Sequence, residues 1–364
     1  MKKGRWVIKL GSSILTDDSG RLDAEYFARI ARDIAYLRKE RLEIVLVSSG
    51  AIAAGMQKLE ITSRPKEMLM LQASAAVGQN MLMNAYNSEF TKYGLTVAQV
   101  LLTGQEMALR KQYLNARNTL IKLIEMGIIP IVNENDTVVV EEIRFGDNDT
   151  LAAIVAGMVQ ADVLVILSNV DGLYCQRPDG GHKVIEIVTD INSDVEDLAR
   201  GSSSARTVGG MVTKIKAAKI ATISNIEMVI ANGKKESILI DLLENTAVCT
   251  RFMPAPRVIN QKKRWIAFAK PSQGRIEIDE GAVKAITSNK KSLLLVGLVN
   301  IRGDFNQGET IDIISGDGEL IGKGITNYSS RELKKYLDDR SASAVDANIN
   351  YCKEVIHRDF MVVF

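Results

Sequence analysis

A chain of 364 residues, 46% hydrophobic and 25% charged, has the composition of a globular enzyme and the length for two cores, because single cores stop growing near ~250–300 residues. Its net charge of +2, with 17 Lys and Arg against 14 Asp and Glu from Arg257 onward, excludes the basic footprint of a committed nucleic-acid binder. No apolar run approaches the ~18–20 residues of a membrane helix, Lys9 interrupts the N-terminal apolar stretch that a secretory signal would need, and Cys175, Cys249 and Cys352 are too few and too scattered for a disulfide framework. The expected setting is the cytoplasm, with no membrane contact.

Over the first ~255 residues β-branched runs alternate with helical patterns, which predicts an α/β architecture: a mostly parallel sheet sandwiched by helices. Candidate strands are Trp6–Leu10, Glu43–Ser48, Thr96–Leu101, Ile128–Asn133, Val163–Leu167 and Glu227–Ala231. Phe27, Ile30, Ala31, Ile34 and Leu37 follow helical spacing behind Asp23, an expected N-cap. Glu67–Tyr93 reads as one long helix whose methionines (Met68, Met70, Met81, Met83) are expected in the core rather than at a subunit interface. Near Met253–Arg257 the pattern changes. Pro254 and Pro256 punctuate the chain, the basic cluster Lys262–Arg264 follows, and Ser315-Gly316-Asp317-Gly318 reads as a hairpin turn between apolar runs. The expected division is a first domain over residues 1–256, a linker over 257–273, and a smaller β-rich domain with its tail over 274–364.

The usual P-loop and dinucleotide fingerprints are absent. His357-Arg358-Asp359 imitates a protein-kinase catalytic loop, but only five residues follow it; two histidines and three cysteines make a zinc site or a histidine-based triad untenable. What remains is a set of small polar loops at the C-terminal ends of predicted strands, where open α/β sheets bind ligands. Lys9-Leu10-Gly11-Ser12-Ser13 puts a lysine at the end of a buried strand, costly unless an anion compensates it; the competing reading is a lysine snorkelling to the surface. Ser48–Gly55 either forms an anion nest at a helix N-terminus or packs a helix tightly on the sheet. Asn133-Glu134-Asn135-Asp136 and Gly146-Asp147-Asn148-Asp149 can bind an ammonium, hold Mg²⁺ or orient a lysine. The competing reading there is a pair of Asx turns, with Asp149 capping a helix. Val208–Lys214 places a glycine pair ahead of a helix with a lysine on its first turn, suited to a triphosphate; a flexible loop with a solvated lysine, preceded by Gly201–Ser204, is the alternative.

In order and spacing these motifs resemble the amino acid kinase family over nearly the whole chain, from V-I-K-L-G-S-S through S-S-G-A-I-A-A-G, L-N-A-R-N-T, N-E-N-D, G-D-N-D and G-G-M-V-T-K. The pairing of S-S-G-A-I-A-A-G with N-E-N-D and G-D-N-D is similar to members acting on glutamate. The C-terminal segment, with Arg264-Trp265-Ile266, Gly274-Arg275-Ile276 and Asp279–Ala282, resembles PUA domains, which elsewhere often bind RNA. The resemblance implies ATP with Mg²⁺ as phosphoryl donor and L-glutamate as acceptor, giving L-glutamyl 5-phosphate for proline biosynthesis. It also implies proline as feedback inhibitor and a homo-oligomer. Carried over residue by residue, Lys9, Asp149 and Lys214 are the catalytic set, and Ser49, Gly50, Asn133, Asp136 and Asn148 bind the acceptor. Lys9, Gly11, Ser168, Asn169, Val208, Gly209, Gly210, Met211, Val212, Thr213 and Lys214 line the nucleotide site. The family often has Thr-Asp where this chain has Ser168-Asn169, and Gly-Thr where it has Thr207-Val208. Rival readings are a kinase of the same fold acting on aspartate, acetylglutamate, carbamate or a nucleoside monophosphate, and an RNA-binding protein working through its C-terminal domain.

Overall fold

A computed structural model describes residues 4–17, 20–138, 147–176, 181–200, 205–254, 261–341 and 354–364. The chain divides into two units, Met1–Val258 and Ile259–Phe364.

The first unit is built around an eight-stranded sheet. Its first half contains β1 (Arg5–Leu10), α1 (Ser12–Leu15), α2 (Ala24–Lys39), β2 (Glu43–Ser48), α3 (Ala51–Lys58), α4 (Met68–Thr91), β3 (Val97–Leu102), α5 (Gly104–Ala108), α6 (Arg110–Glu125) and β4 (Ile129–Glu134). Then come α7 (Asn148–Val159), β5 (Val163–Ser168), the hairpin β6 (Tyr174–Gln176) and β7 (His182–Val184), β8 (Ile187–Val188), α8 (Ser193–Arg200), α9 (Ala205–Ile223), β9 (Glu227–Asn232), α10 (Ile238–Glu244) and β10 (Cys249–Phe252). The sheet order is β3-β4-β2-β1-β5-β9-β10-β8; every pairing is parallel except β9 with β10. The expected strands therefore form, within a residue or so at their ends.

Alternation along β1 sorts its side chains between two helical layers. Trp6, Ile8 and Leu10 join the core made with α2, α4 and α10, where Phe27, Ile34, Tyr86, Phe90 and Leu239 are buried. Val7 and Lys9 face the other layer, which holds α7 and α9. Helix α7 is buried from Asp149 through Val159, and a helix apolar all round belongs inside. Asp23 caps α2, its side chain accepting from the Tyr26 N–H at 3.1 Å. The methionines of α4 meet expectation only in part. Met83 is partly buried and packs against the core, Met68 and Met81 are half-buried, Met70 is exposed and Leu69 beside it is 70% exposed; most of the core side of this helix is carried by Leu82, Tyr86 and Phe90.

The second unit opens with α11 (Gln261–Arg264), continued by a widened π turn, Trp265–Ala269. Residues 257–260 lie outside the described residues. From Gln261 the expected linker is structured, with Trp265 and Ile266 buried in this unit. A five-stranded sheet follows, from β11 (Gly274–Ile278), β13 (Leu298–Gly303), β14 (Thr310–Ser315), β15 (Leu320–Ile325) and β17 (Met361–Val363), in the order β13-β11-β14-β15-β17. It is joined by α12 (Glu280–Thr287), α13 (Ser330–Ser341) and the short pair β12 (Leu293–Leu294) and β16 (Glu354–Ile356). Ile276, Ile311, Ile313, Leu333 and Ile356 form its separate core. The expected hairpin turn joins β14 to β15, with Gly318 at φ +87°, a left-handed conformation suited to glycine.

Candidate active site

Strands β1, β2, β4, β5 and β9 run parallel, so Leu10, Ser48, Glu134, Ser168 and Asn232 end at the same edge of the sheet. Everything that follows gathers there.

Lys9, on the α7 and α9 side of β1, reaches Asp149 at the start of α7: Lys9 Nζ lies 2.7 Å from Asp149 Oδ1. Lys214, on α9, meets the other oxygen, Oδ2, at 3.2 Å. All three are buried, at 8%, 3% and 7% exposure for Lys9, Asp149 and Lys214. Thr213 Oγ1 also lies 2.9 Å from Asp149 Oδ2, so this hydroxyl serves the carboxylate. Burial alone would raise the Asp149 carboxyl, but Lys9 and then Lys214 outweigh it and hold it below its ordinary range. Burial pushes the Lys214 ammonium down, and attraction to Asp149 only partly offsets this. Two ammonium groups share one carboxylate. The surplus positive charge, largely removed from water, is the electrostatic complement of an anion.

Asp149 is available for this role because the neighbouring acid does the capping. Asp147, not Asp149, is the N-cap of α7: Asp147 Oδ1 accepts from the Thr150 N–H at 2.6 Å, and the Thr150 hydroxyl donates to Oδ2 at 3.0 Å. Helix α9 also differs from expectation. It begins at Ala205, so Gly209-Gly210 lie within the helix and Lys214 stands more than two turns in; Lys214 Nζ donates back to Gly210 O at 3.0 Å. Gly201–Ser204 and Gly146 lie outside the described residues. Met211 is buried and Val212 exposed, so those two side chains face opposite ways.

Gly11 and Ser168-Asn169 come together at the ends of adjacent strands. The Gly11 N–H donates to Leu167 O at 3.3 Å and so is already engaged; a Cβ there would make only ordinary contacts, 3.4 Å from Leu167 O and 3.5 Å from Lys9 Nζ. Ser168 O accepts from the Gly233 N–H at 2.8 Å, and the Ser168 hydroxyl points to Asn169 Oδ1 at 3.3 Å.

Beside this charged cluster lies a cavity of about 300 Å³ whose walls include Ser12, Ser49, Asp136, Asp147, Asn148 and Arg64. Gly50, at φ +96°, caps α3 and turns its first residues, Ala51, Ile52 and Ala53, onto the wall. The first N–H groups of a helix lack intrahelical acceptors, and the positive end of its dipole favours a carboxylate. The tight-packing reading of Ser48–Gly55 holds at Gly55, whereas Gly50 lies on the cavity wall. A Cβ on Gly55 would collide with Ser74 O of α4, and one on Gly78 with Ala51 O.

Asn148 Nδ2 donates to Ser48 O and Ser49 Oγ, both at 2.8 Å, and lies 3.2 Å from Asn133 Oδ1. Tyr86 of α4 supports the same wall, its hydroxyl 2.8 Å from Ser48 Oγ. The expected acceptor residues are therefore neighbours. Arg64 was not foreseen; it lies in the connection between α3 and α4, and the dipeptide Arg64-Pro65 carries no strand-end signal that would single it out.

A profile of the Amino acid kinase family matches residues 4–232, and one of the PUA domain matches residues 274–347. Among known proteins the chain is similar to glutamate 5-kinase of Caldanaerobacter subterraneus subsp. tengcongensis, at 43% identity over 362 residues, 99% of this chain and 97% of that protein. It is similar to glutamate 5-kinase of Dehalococcoides mccartyi at 44% identity over 366 residues, 99% of this chain and 98% of that protein. The solved structure of carbamate kinase from Giardia lamblia bound to AMP-PNP is alike with a TM-score of 0.52, covering 69% of this chain and 98% of its own; at 17% identity that likeness speaks to the fold alone. With a profile running from β1 through β9, the strands that carry the site, and relatives aligned almost end to end, this chain belongs to the amino acid kinase family and carries a C-terminal PUA domain.

Proposed function

We propose that the chain transfers the γ-phosphoryl group of ATP to the γ-carboxylate of L-glutamate, giving L-glutamyl 5-phosphate, the first step of proline biosynthesis. The observation that carries this reading is the Lys9–Asp149–Lys214 cluster, with its surplus positive charge, set next to a polar cavity of amino-acid size. Relatives named glutamate 5-kinase, aligned over 97–98% of their own length, favour glutamate as the acceptor.

A carboxylate is ionised at neutral pH, so the reaction needs no general base. The barrier is the approach of one anion to another. Lys9 and Lys214 compensate that charge, and Asp149 holds both ammoniums in place. One oxygen of the acceptor carboxylate forms the new bond to the γ-phosphorus as the bond to the β–γ bridging oxygen breaks; ADP leaves, and no proton changes hands. Gly11, Ser168, Asn169 and the segment Val208–Lys214 surround the triphosphate in this reading. Ser49, Gly50, Asn133, Asp136 and Asn148 hold glutamate, with Arg64 a counter-charge for its α-carboxylate.

Among the described residues no group of three or more His, Cys, Asp or Glu is placed to hold a metal ion, and Asp149 is committed to two lysines. That donor set does not fit a protein-held Mg²⁺. The Mg²⁺ usual in this family would instead enter with the nucleotide and offset part of the triphosphate charge beside Lys9 and Lys214.

No helix among the described residues is long and apolar enough to cross a membrane. A cytoplasmic setting, feedback by proline and homo-oligomeric assembly belong to the same reading; proline inhibition of ADP release and light scattering check the last two. The acceptor is tested by ADP release with L-glutamate, aspartate, acetylglutamate, carbamate and a nucleoside monophosphate. Glutamate is expected to exceed every other acceptor by at least tenfold, and a faster rate with another acceptor overturns the assignment.

A further inference from the structure

We propose that Gln79 of α4 is a positioning residue for the acceptor site, acting through Asn133 on Asn148 and Ser49. Asn133 is buried, and its Oδ1 accepts from the Glu134 backbone N–H at 2.9 Å. A backbone N–H can only donate, so this bond fixes which way the amide lies. Asn133 Nδ2 must then face Gln79, whose Oε1 accepts from it at 2.9 Å. The remaining lone pair of Asn133 Oδ1 faces Asn148 Nδ2 at 3.2 Å; the two hydrogens of that nitrogen serve Ser48 O and Ser49 Oγ, both at 2.8 Å, and the Asn133 oxygen shares one of them.

The direction of this relay decides what the cavity wall presents. Ser49 Oγ accepts from Asn148, so its own O–H remains to be donated; Asn148, with its nitrogen turned to the protein, keeps Oδ1 as an acceptor. One donor and one acceptor on the wall suit the carboxylate and ammonium of an amino acid. Were the Asn133 amide reversed, donor would meet donor at both Glu134 and Asn148.

A second observation separates Gln79 from a space-filling residue. Its Nε2 is buried without a hydrogen-bond partner, a cost that an apolar side chain of similar size would avoid. What the glutamine supplies at this position is its acceptor oxygen. Its reach is set by the backbone, because Gly78 brings α4 against Ala51 O of α3 so closely that no Cβ fits between.

The kinetic consequence rests on the acceptor assignment proposed above; the relay itself does not. Gln79→Leu removes the acceptor, while Gln79→Glu keeps an acceptor oxygen and replaces only the unpartnered nitrogen. Two readouts are used: the side-chain NH₂ resonances of Asn133 and Asn148 in the substrate-free protein, and KM for glutamate and for ATP. Gln79→Leu is expected to shift both amide resonances and raise the glutamate KM roughly fivefold to tenfold, the loss of one buried hydrogen bond, with the ATP KM within about twofold. Gln79→Glu is expected to leave the Asn148 resonance near its parent position and the glutamate KM within about threefold. An unmoved Asn148 resonance in Gln79→Leu, a parallel rise in the ATP KM, or a Gln79→Glu variant as impaired as Gln79→Leu overturns the proposal. If Gln79→Leu does not fold, Gln79→Met removes the same acceptor and carries the same expectation. If the parent protein shows no glutamate-dependent turnover, the acceptor assignment fails and the amide resonances decide the relay alone.

Discussion

Where Lys9, Asp149 and Lys214 meet, three ionised side chains from β1, α7 and α9 are held within 3.2 Å and largely out of water; where Ser49, Asn133 and Asn148 meet, neutral amides and hydroxyls face an open cavity of about 300 Å³. Charge acts over distance and is indifferent to the shape of the acceptor, so the first group suits any phosphoryl transfer to an anion. Hydrogen bonds are short and directional, so the second group reads which molecule is present. Substitutions in the first should therefore appear in kcat, and those in the second in the KM of one substrate.

The largest effect is expected from Asp149→Asn. It leaves two buried ammoniums without their shared counterion, and removing one partner of such a group typically costs about 3–5 kcal/mol of stability. Urea denaturation would measure it; a loss below about 1 kcal/mol would mean that water reaches the cluster more than its burial implies. Next comes Lys214→Met, which keeps much of the aliphatic stem and removes one preorganised cation. Its kcat should fall ~10²–10³-fold with the glutamate KM hardly changed. Lys214→Arg should rescue it poorly, since a planar fork does not replace a compact ammonium. A Lys214→Met enzyme within about threefold of the parent removes Lys214 from the catalytic set.

In the acceptor half the effects should be smaller and divided between the substrates. Asp136→Ala or Asn148→Ala is expected to raise the glutamate KM roughly tenfold to a hundredfold, the worth of a hydrogen bond to a charged group, with little change for ATP. Equal effects on both substrates would erase the contrast between the halves.

The contrast extends to pH. Because Lys214 lies below the ordinary 10.5 of a lysine, it loses its proton earlier as pH rises. The kcat/KM for ATP should therefore fall on an alkaline limb below pH 10.5, and Lys214→Met should abolish that limb. Asp149 titrates the other way. Its folded-state pKa lies below 3.8, so its contribution to stability is present above that pH and is lost as pH falls through the lower folded value. Ser49, Asn133 and Asn148 carry no titratable group, and substitutions at these three should leave the profile unshifted.

How far the sequence foretold these halves depended on distance along the chain. Local features were readable. The strands of β-branched residues, the Asp23 cap, and polar loops at strand ends follow from pattern and turn chemistry. Long-range choices were not. Asp147 and Asp149 are both competent N-caps by position; what sets them apart is Lys9 in another strand and Lys214 some 65 residues onward. Gly55 could not be told from a nest glycine without the crossing of α3 on α4. Gln79 lies mid-helix, where a glutamine reads as an ordinary surface residue until Asn133 is brought against it. Met83 packs on the core but Met70 is exposed, because an apolar pattern says nothing about which side faces the sheet.

The smallest effect should come from removing the second unit. All the residues assigned to either half lie in the first, so a chain ending near Asn260 should remain folded and keep kcat within about threefold, as expected of domains with separate cores. A truncated protein that is folded by circular dichroism yet inactive would show that the site is incomplete without the second unit.

The most direct test of the central claim is chemical trapping of the product. An acyl phosphate reacts with hydroxylamine to give a hydroxamate, whereas phosphate esters and simple ATP hydrolysis do not. With L-glutamate and ATP, hydroxamate should form in step with ADP, one for one, and the signal should collapse in Lys214→Met. ADP formation with glutamate but no hydroxamate would contradict the assignment of a carboxylate as the phosphoryl acceptor.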